Sequence, residues 1–148
     1  MSDLRGADLS SKETILNQAD LIGADLQLAN LREARLIEAN PSETDLWATD
    51  LSYAKLNRAI LEDAKRKAAR LQGADLREAN LQGCDFTRAD IRQAELTGAN
   101  LKNTRFVETV VNQAKVSGSL VYGISVWDIK GEFEEQNDCH DGRFAAEV

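Results

Sequence analysis

An apolar residue recurs at every fifth position from Leu16 to Val126, with Arg66 as the exception, and a small residue lies two positions before nearly every one. Residues 19–21 (Ala-Asp-Leu) and 99–101 (Ala-Asn-Leu) show this pentad. An α-helix cannot use this period, because five residues turn through about 500° and would leave no apolar stripe. In extended chain, residues two apart share a face, so the small and the central residue point the same way. The repeat therefore predicts short extended segments joined by corners.

The central residue and the small residue of each pentad are predicted to fill a narrow interior. One large and one small side chain per segment can pack such an interior without voids. The Asp or Asn between them is predicted to point outward into solvent. The central residues selected as interior packing positions are Leu21, Leu26, Leu31, Leu76, Leu81, Phe86, Ile91, Leu96, Leu101 and Phe106.

Over roughly residues 14–127 the chain resembles the pentapeptide-repeat family, whose pattern is A(D/N)LXX. The resemblance implies an all-β fold, a single-chain right-handed quadrilateral parallel β-helix with four pentads per coil and short non-repeat caps at its ends. Residues twenty apart then stack, which places Phe86 and Phe106 on adjacent rungs of one column. Arg66 falls in the same column, and we expect the chain to bulge there because an unpaired guanidinium is costly to bury.

Three segments follow from the register of the repeat. Residues 1–15 are predicted to be an N-terminal cap with two early pentads, centred on Leu4 and Leu9, and an insert that forms a short helix or a loop. Residues 16–127 are predicted to be the β-helix. Residues 128–148 contain seven acidic residues against two basic ones and are predicted to be a disordered tail.

The sequence favours a non-enzymatic protein without cofactor or metal. The one histidine, His140, lies between Cys139 and Asp141 in the predicted tail, where a catalytic geometry could not be held. Cys84 takes a small inward position and is predicted to be a buried thiol. The chain has no apolar stretch of membrane-spanning length and no signal-peptide pattern. We therefore expect a bacterial, cytoplasmic protein that binds no membrane.

Charge distribution separates two functional hypotheses. The resemblance implies either a scaffold for protein–protein contact, with an unknown protein partner, or a DNA mimic that binds a type II topoisomerase and protects or inhibits gyrase. A DNA mimic needs a dense line of negative charge. Residues 1–127 carry 18 acidic against 16 basic side chains, so the sequence favours the scaffold. We expect no direct nucleic-acid binding, and a monomer or an end-to-end homodimer.

Outward aromatic and basic residues are the remaining functional signal. Trp47 and Leu28 are predicted to share one corner of the coil, with Tyr53 further along the same coil. A clustered Trp and Leu can anchor a protein partner, and four nearby cations could bind an acidic one. The predicted interaction surface consists of Leu28, Trp47, Tyr53, Lys65, Arg66, Lys67 and Arg70.

Overall fold

The computed structural model describes residues 3–64 and 67–134, which form a right-handed quadrilateral β-helix. Parallel backbone bridges join residues twenty apart, such as Arg35 to Lys55. Within the described residues there is no helix, and two segments form strands: β1 (Arg105–Val107) and β2 (Ser125–Trp127). They pair in parallel, with Phe106 opposite Val126. The four-sided all-β fold predicted from the sequence is confirmed.

The interior is filled by two stacked columns of side chains on each of the four sides, one of central residues and one of small residues. Nine of the ten selected central residues are at most 1% exposed, and the rings of Phe86 and Phe106 stack with centroids 5.3 Å apart. Leu21 differs, because it is only partly buried. It belongs to the first coil, and no described residue stacks before it in its column. The bulge predicted at Arg66 lies outside the described residues.

Polar residues at the small inward positions are satisfied by the neighbouring rung. The Thr49 hydroxyl donates to the carbonyl of Leu26 at 2.7 Å, and the Ser119 hydroxyl donates to the carbonyl of Leu96 at 2.7 Å. The Cys84 thiol, buried as predicted, donates to the carbonyl of Leu61 at 2.9 Å. These bonds remove the cost that a buried hydroxyl would otherwise impose.

Each regular corner is a turn whose third residue has a left-handed backbone. In a typical corner the N–H of Ala29 donates to the carbonyl of Leu26 at 3.0 Å, and Leu28 between them has φ of 59°. A type II turn has this positive φ at its third residue, where glycine is usual. Seventeen described non-glycine residues have positive φ. The stacked rungs therefore hold many corners in a conformation that isolated residues disfavour.

The outward Asp and Asn residues are structural and not simply solvated, which corrects the prediction from sequence. Asp45 Oδ1, for example, accepts the N–H of Trp47 at 3.1 Å, closing the corner with a side-chain turn. Asp75 is only 6% exposed. The Arg77 guanidinium donates to both Asp75 carboxylate oxygens at 2.7 Å, and these hydrogen bonds lower the pKa of Asp75 below its ordinary value.

Pro41 occupies a buried central position without breaking the solenoid. Proline has no N–H, so it cannot donate the ladder bond that other central residues give to the next rung. The acceptor in that rung is the carbonyl of Ile60, and the Ser42 hydroxyl lies 3.3 Å from it but has a nearer acceptor in Asn40 Oδ1 at 2.6 Å. The β-helix thus tolerates the loss of one backbone ladder bond at this position.

Residues 3–15, the described part of the N-terminal segment, continue the coil and contain no helix. Asp3 and Asp8 bridge residues 22 positions later, Asp25 and Asn30, whereas Ile15 and the residues after it bridge at a spacing of twenty. The two extra residues precede a turn of ordinary length, in which the N–H of Thr14 donates to the carbonyl of Ser11 at 3.1 Å. Of the two predicted forms of the insert, the structure therefore has the loop.

The C-terminal end of the β-helix lies beyond the boundary predicted at residue 127. Lys130 bridges Val110, and the N–H of Glu134 donates to the carbonyl of Ala114 at 2.9 Å. Phe133 is 8% exposed and meets the ring of Phe106 edge to face, with centroids 6.3 Å apart. Residues 128–134 therefore cover the last rungs, because the interior needs an apolar cover where the columns end. Residues 135–148 lie outside the described residues.

Candidate protein-interaction surface

Leu28 and Trp47 lie on adjacent rungs of one corner. This corner also contains Ala48 and Lys67, and we call these four residues the Trp47 corner. The N–H of Leu28 donates to the carbonyl of Trp47 at 3.0 Å, and the N–H of Ala48 donates to the carbonyl of Lys67 at 3.2 Å. Leu28 is 59% exposed and Trp47 is 46% exposed. The corner thus presents two large apolar side chains on a backbone held by ladder bonds.

A small depression of about 320 Å³ lies beside the Trp47 ring. Its polar lining includes Gln27 and Asp45, whose side chains are joined by a hydrogen bond of 3.0 Å. Lys67 lies 3.8 Å from Asp85 across the same depression. The Trp47 corner therefore combines apolar contact area with donors and acceptors at its border, as protein-binding surfaces do.

Tyr53 lies on the next corner and faces a different part of the surface. The Arg32 guanidinium lies 4.8 Å from the centre of the Tyr53 ring, in a cation–π contact. Gly73 lies on the adjacent rung of the same corner, where a Cβ atom would come within 2.6 Å of the Tyr53 ring. The structure therefore separates Tyr53 from Trp47, although both belong to the predicted surface.

The predicted basic cluster is described only in part. Lys65 and Arg66 lie outside the described residues. Arg70 lies on the side between the corners of Trp47 and Tyr53, 3.9 Å from Asp50, and its side chain is largely exposed. Lys67 and Arg70 each have a carboxylate within 4 Å, so the described pair forms no isolated patch of positive charge.

A larger depression of about 850 Å³ is a feature that sequence reasoning missed. We call it the basic depression, because five cationic side chains and two carboxylates line it. Tyr53 and Ile37 supply its apolar border. Its charged lining consists of Lys12, Arg32, Arg35, Lys55, Arg77, Glu33 and Asp75. Arg35 and Lys55 are twenty residues apart and therefore stack, but the paired carboxylates could be assigned only from side-chain geometry.

The described residues show no arrangement typical of a metal site. No group of three or more His, Cys, Asp or Glu side chains among them could hold a metal ion. The Cys139-His140-Asp141 segment considered from sequence lies outside the described part of the chain. A bilayer-spanning helix is likewise not found in residues 3–64 or 67–134.

Comparisons with known proteins agree with this architecture. The family model described as pentapeptide repeats matches in eight copies, over residues 14–46, 29–65 and 69–119. HetL of the cyanobacterium Nostoc, a pentapeptide repeat protein involved in the regulation of heterocyst differentiation, is 30% identical; the alignment covers 86% of this chain and 59% of HetL, with a TM-score of 0.48. The chain therefore spans about three fifths of the length of HetL.

Two further solved structures illustrate the range of similar proteins. A pentapeptide repeat protein of the Arabidopsis thaliana thylakoid lumen is 31% identical over 66% of each chain, with a TM-score of 0.48. QnrB1, a plasmid-mediated fluoroquinolone resistance protein, is 23% identical over 74% of this chain and 59% of its own, with a TM-score of 0.44. Curated proteins gave no match. The family matches cover well over half of the sequence, and the chain belongs to the pentapeptide-repeat family.

Proposed function

We propose that this chain is a non-enzymatic scaffold that binds a protein partner at the Trp47 corner. The observation that carries the proposal is the pair of exposed side chains, Leu28 and Trp47, on adjacent rungs beside Lys67. Exposed Trp is enriched among the residues that dominate binding energy. The ladder bonds fix the backbone before binding, so docking would cost little ordering of the main chain.

The scaffold is proposed to act in the cytoplasm, as a monomer or an end-to-end homodimer. Membership of a repeat family supports a role in protein interaction at this general level. The chemistry of the Trp47 corner supports contact with an apolar patch that has a polar border. Ile60 is also exposed, but on another side of the coil, so a partner reaching it would contact a separate surface.

Affinity capture tests this proposal. The full chain, a Trp47→Ser variant and a Tyr122→Ser variant are immobilised, and proteins retained from an extract of the source cells are identified by mass spectrometry. Tyr122 is a matched control, because it is an aromatic side chain 67% exposed on another corner. We expect a protein that the wild type and Tyr122→Ser retain and Trp47→Ser loses. Equal retention by all three chains would contradict docking at this corner.

The alternative is a DNA mimic acting on a type II topoisomerase. Its surface should present an uninterrupted line of acids, but cations interrupt the acids here. Arg88 lies 2.7 Å from Glu108, and Arg58 lies 2.9 Å from Glu78 and 3.8 Å from Glu38. Such exposed pairs add little stability, but they neutralise the negative charge locally.

A gyrase assay distinguishes the alternative from the scaffold. We expect that the full chain and a chain ending at Glu134 leave DNA supercoiling unchanged at micromolar concentration. We also expect no relief of a fluoroquinolone-type poison by either chain. The shortened chain ends at Glu134 because residues 128–134 belong to the fold. Protection by the shortened chain that weakens steeply with added salt would place a DNA-mimic activity on the β-helix itself.

A further inference from the structure

The basic depression contains a pair of like charges in direct register. Arg35 and Lys55 are joined by a parallel bridge, so their side chains project from adjacent rungs about 4.8 Å apart. Like charges directly opposite each other destabilise a sheet. Further along the same column opposite charges pair, with Lys115 and Glu95 3.1 Å apart, and the other like-charged bridges among the described residues, such as Asp25 to Asp45, join two acids. Among the bridges of the described residues, Arg35–Lys55 is the one that places two cations in register.

Nearby carboxylates do not neutralise Arg35. Asp75 is held by two hydrogen bonds from Arg77 and lies 3.9 Å from Lys55. Glu33, the other carboxylate of the depression, lies 3.6 Å from Lys12. Within residues 3–64 and 67–134, no carboxylate lies within 4 Å of the Arg35 guanidinium. Its donors remain available to a ligand.

The depression is positive in a chain whose net charge is −7. Five cations against two carboxylates leave a local excess of three positive charges. From the rung of Arg35 to that of Asp75 the depression extends about 10 Å along the axis, roughly the length of three residues of extended chain. The excess of three positive charges thus matches the charge of three consecutive acidic residues, and the depression matches the length of such a segment in extended conformation.

We propose that the basic depression binds a short acidic segment of a partner protein, with Arg35 and Lys55 as the residues that contact its carboxylates. This goes beyond the proposed function, because it assigns a second binding surface and names the chemistry of its ligand. A bidentate contact from Arg35 would give the segment its orientation. Nucleic acid fits the site less well, since Glu33 and Asp75 lie within it and the negative net charge repels a long polyanion.

Fluorescence anisotropy with a labelled hexaglutamate peptide tests the inference on the full chain. We expect saturable binding at 50 mM salt that weakens at 300 mM salt. Arg35→Glu should weaken binding at least tenfold, and Lys55→Gln should weaken it in the same direction. Arg88→Glu is the matched control, because Arg88 is an exposed arginine paired with Glu108 on another corner; it should change affinity less than twofold. Circular dichroism and thermal melting verify that each variant is folded.

Four results of this titration would overturn the inference, and a fifth result concerns the chain's own C-terminal segment. The first four are an absence of saturable binding, an equal loss in the Arg88→Glu variant, an unchanged affinity in both folded variants, and binding of a hexathymidylate at least as tight as that of the peptide. The chain's own C-terminal segment is a further candidate occupant. A full-length variant with Glu135→Gln, Asp138→Asn, Asp141→Asn and Glu147→Gln should bind hexaglutamate as the wild type does. A tenfold gain would assign the site to that segment and overturn the partner assignment.

The outcomes are separable from those of the proposed function. If hexaglutamate does not bind while Trp47-dependent capture persists, the acidic-segment inference is wrong and the scaffold stands. If the peptide binds but capture does not depend on Trp47, docking at the Trp47 corner is wrong and the basic depression stands.

Discussion

Leu96→Asp is expected to lower the free energy of unfolding by more than about 4 kcal/mol, because it buries a carboxylate without a partner. Leu96 is fully buried, and its column neighbours Leu76 and Val116 are equally inaccessible to water. No cationic group could reach the new charge without opening the coil. Since each coil is stabilised mainly by its neighbours, the damage should spread to adjacent rungs. Urea unfolding followed by far-UV circular dichroism measures the loss.

Thr97→Asp is the matched control, because it introduces the same side chain one position away. Thr97 lies at a corner, is partly exposed, and stacks beside Arg77 in the corner column. We expect a change within about 0.5 kcal/mol, as is usual for surface substitutions. Comparable destabilisation by the two substitutions would mean that the inward and outward positions are wrongly assigned.

Phe133→Ala is expected to lower the free energy of unfolding by about 3 kcal/mol, the usual cost of truncating a buried Phe. The ring closes the end of the interior against Phe106, and its loss would expose the last apolar columns to water. Trp127→Ala is the control, since Trp127 belongs to the same last coil but is 74% exposed. That change should cost less than about 0.5 kcal/mol. Equal losses would contradict a capping role for Phe133.

The fold could be predicted from sequence because one period determines both the corners and the inward side. Each pentad repeats the same pattern, so a departure at one position, such as Pro41, does not change the register of the other pentads. Phe86 and Phe106 show the accuracy of that register, since they stack as the twenty-residue coil requires. The family resemblance supplied the number of sides, which the period alone does not give.

The corner conformation could not be predicted from local sequence. Leu28 and Tyr53 have φ near 60°, yet neither residue type signals a left-handed backbone. The ladder bonds of neighbouring rungs impose this conformation, and such tertiary constraints are not visible in five residues. The same limit applies to Asp75, whose burial depends on Arg77 from the adjacent corner.

The two ends and the basic depression depend on single residues and not on the repeat. Phe133 lies among acidic residues, so composition indicated a solvated tail. The structure shows that this one aromatic ring closes the end of the β-helix interior. Within the described part of the chain no carboxylate lies within 4 Å of Arg35, because Arg77 and Lys55 share Asp75, and only side-chain geometry reveals this arrangement.

The affinity of the captured partner for variants of the Trp47 corner tests the central claim most directly. Titration calorimetry with the purified partner should show Trp47→Ser weakening binding at least about 30-fold, which corresponds to roughly 2 kcal/mol and is typical of a hot-spot residue. Tyr122→Ser should change the affinity less than about threefold. A wild-type affinity in Trp47→Ser, or an equal loss in Tyr122→Ser, would contradict the account.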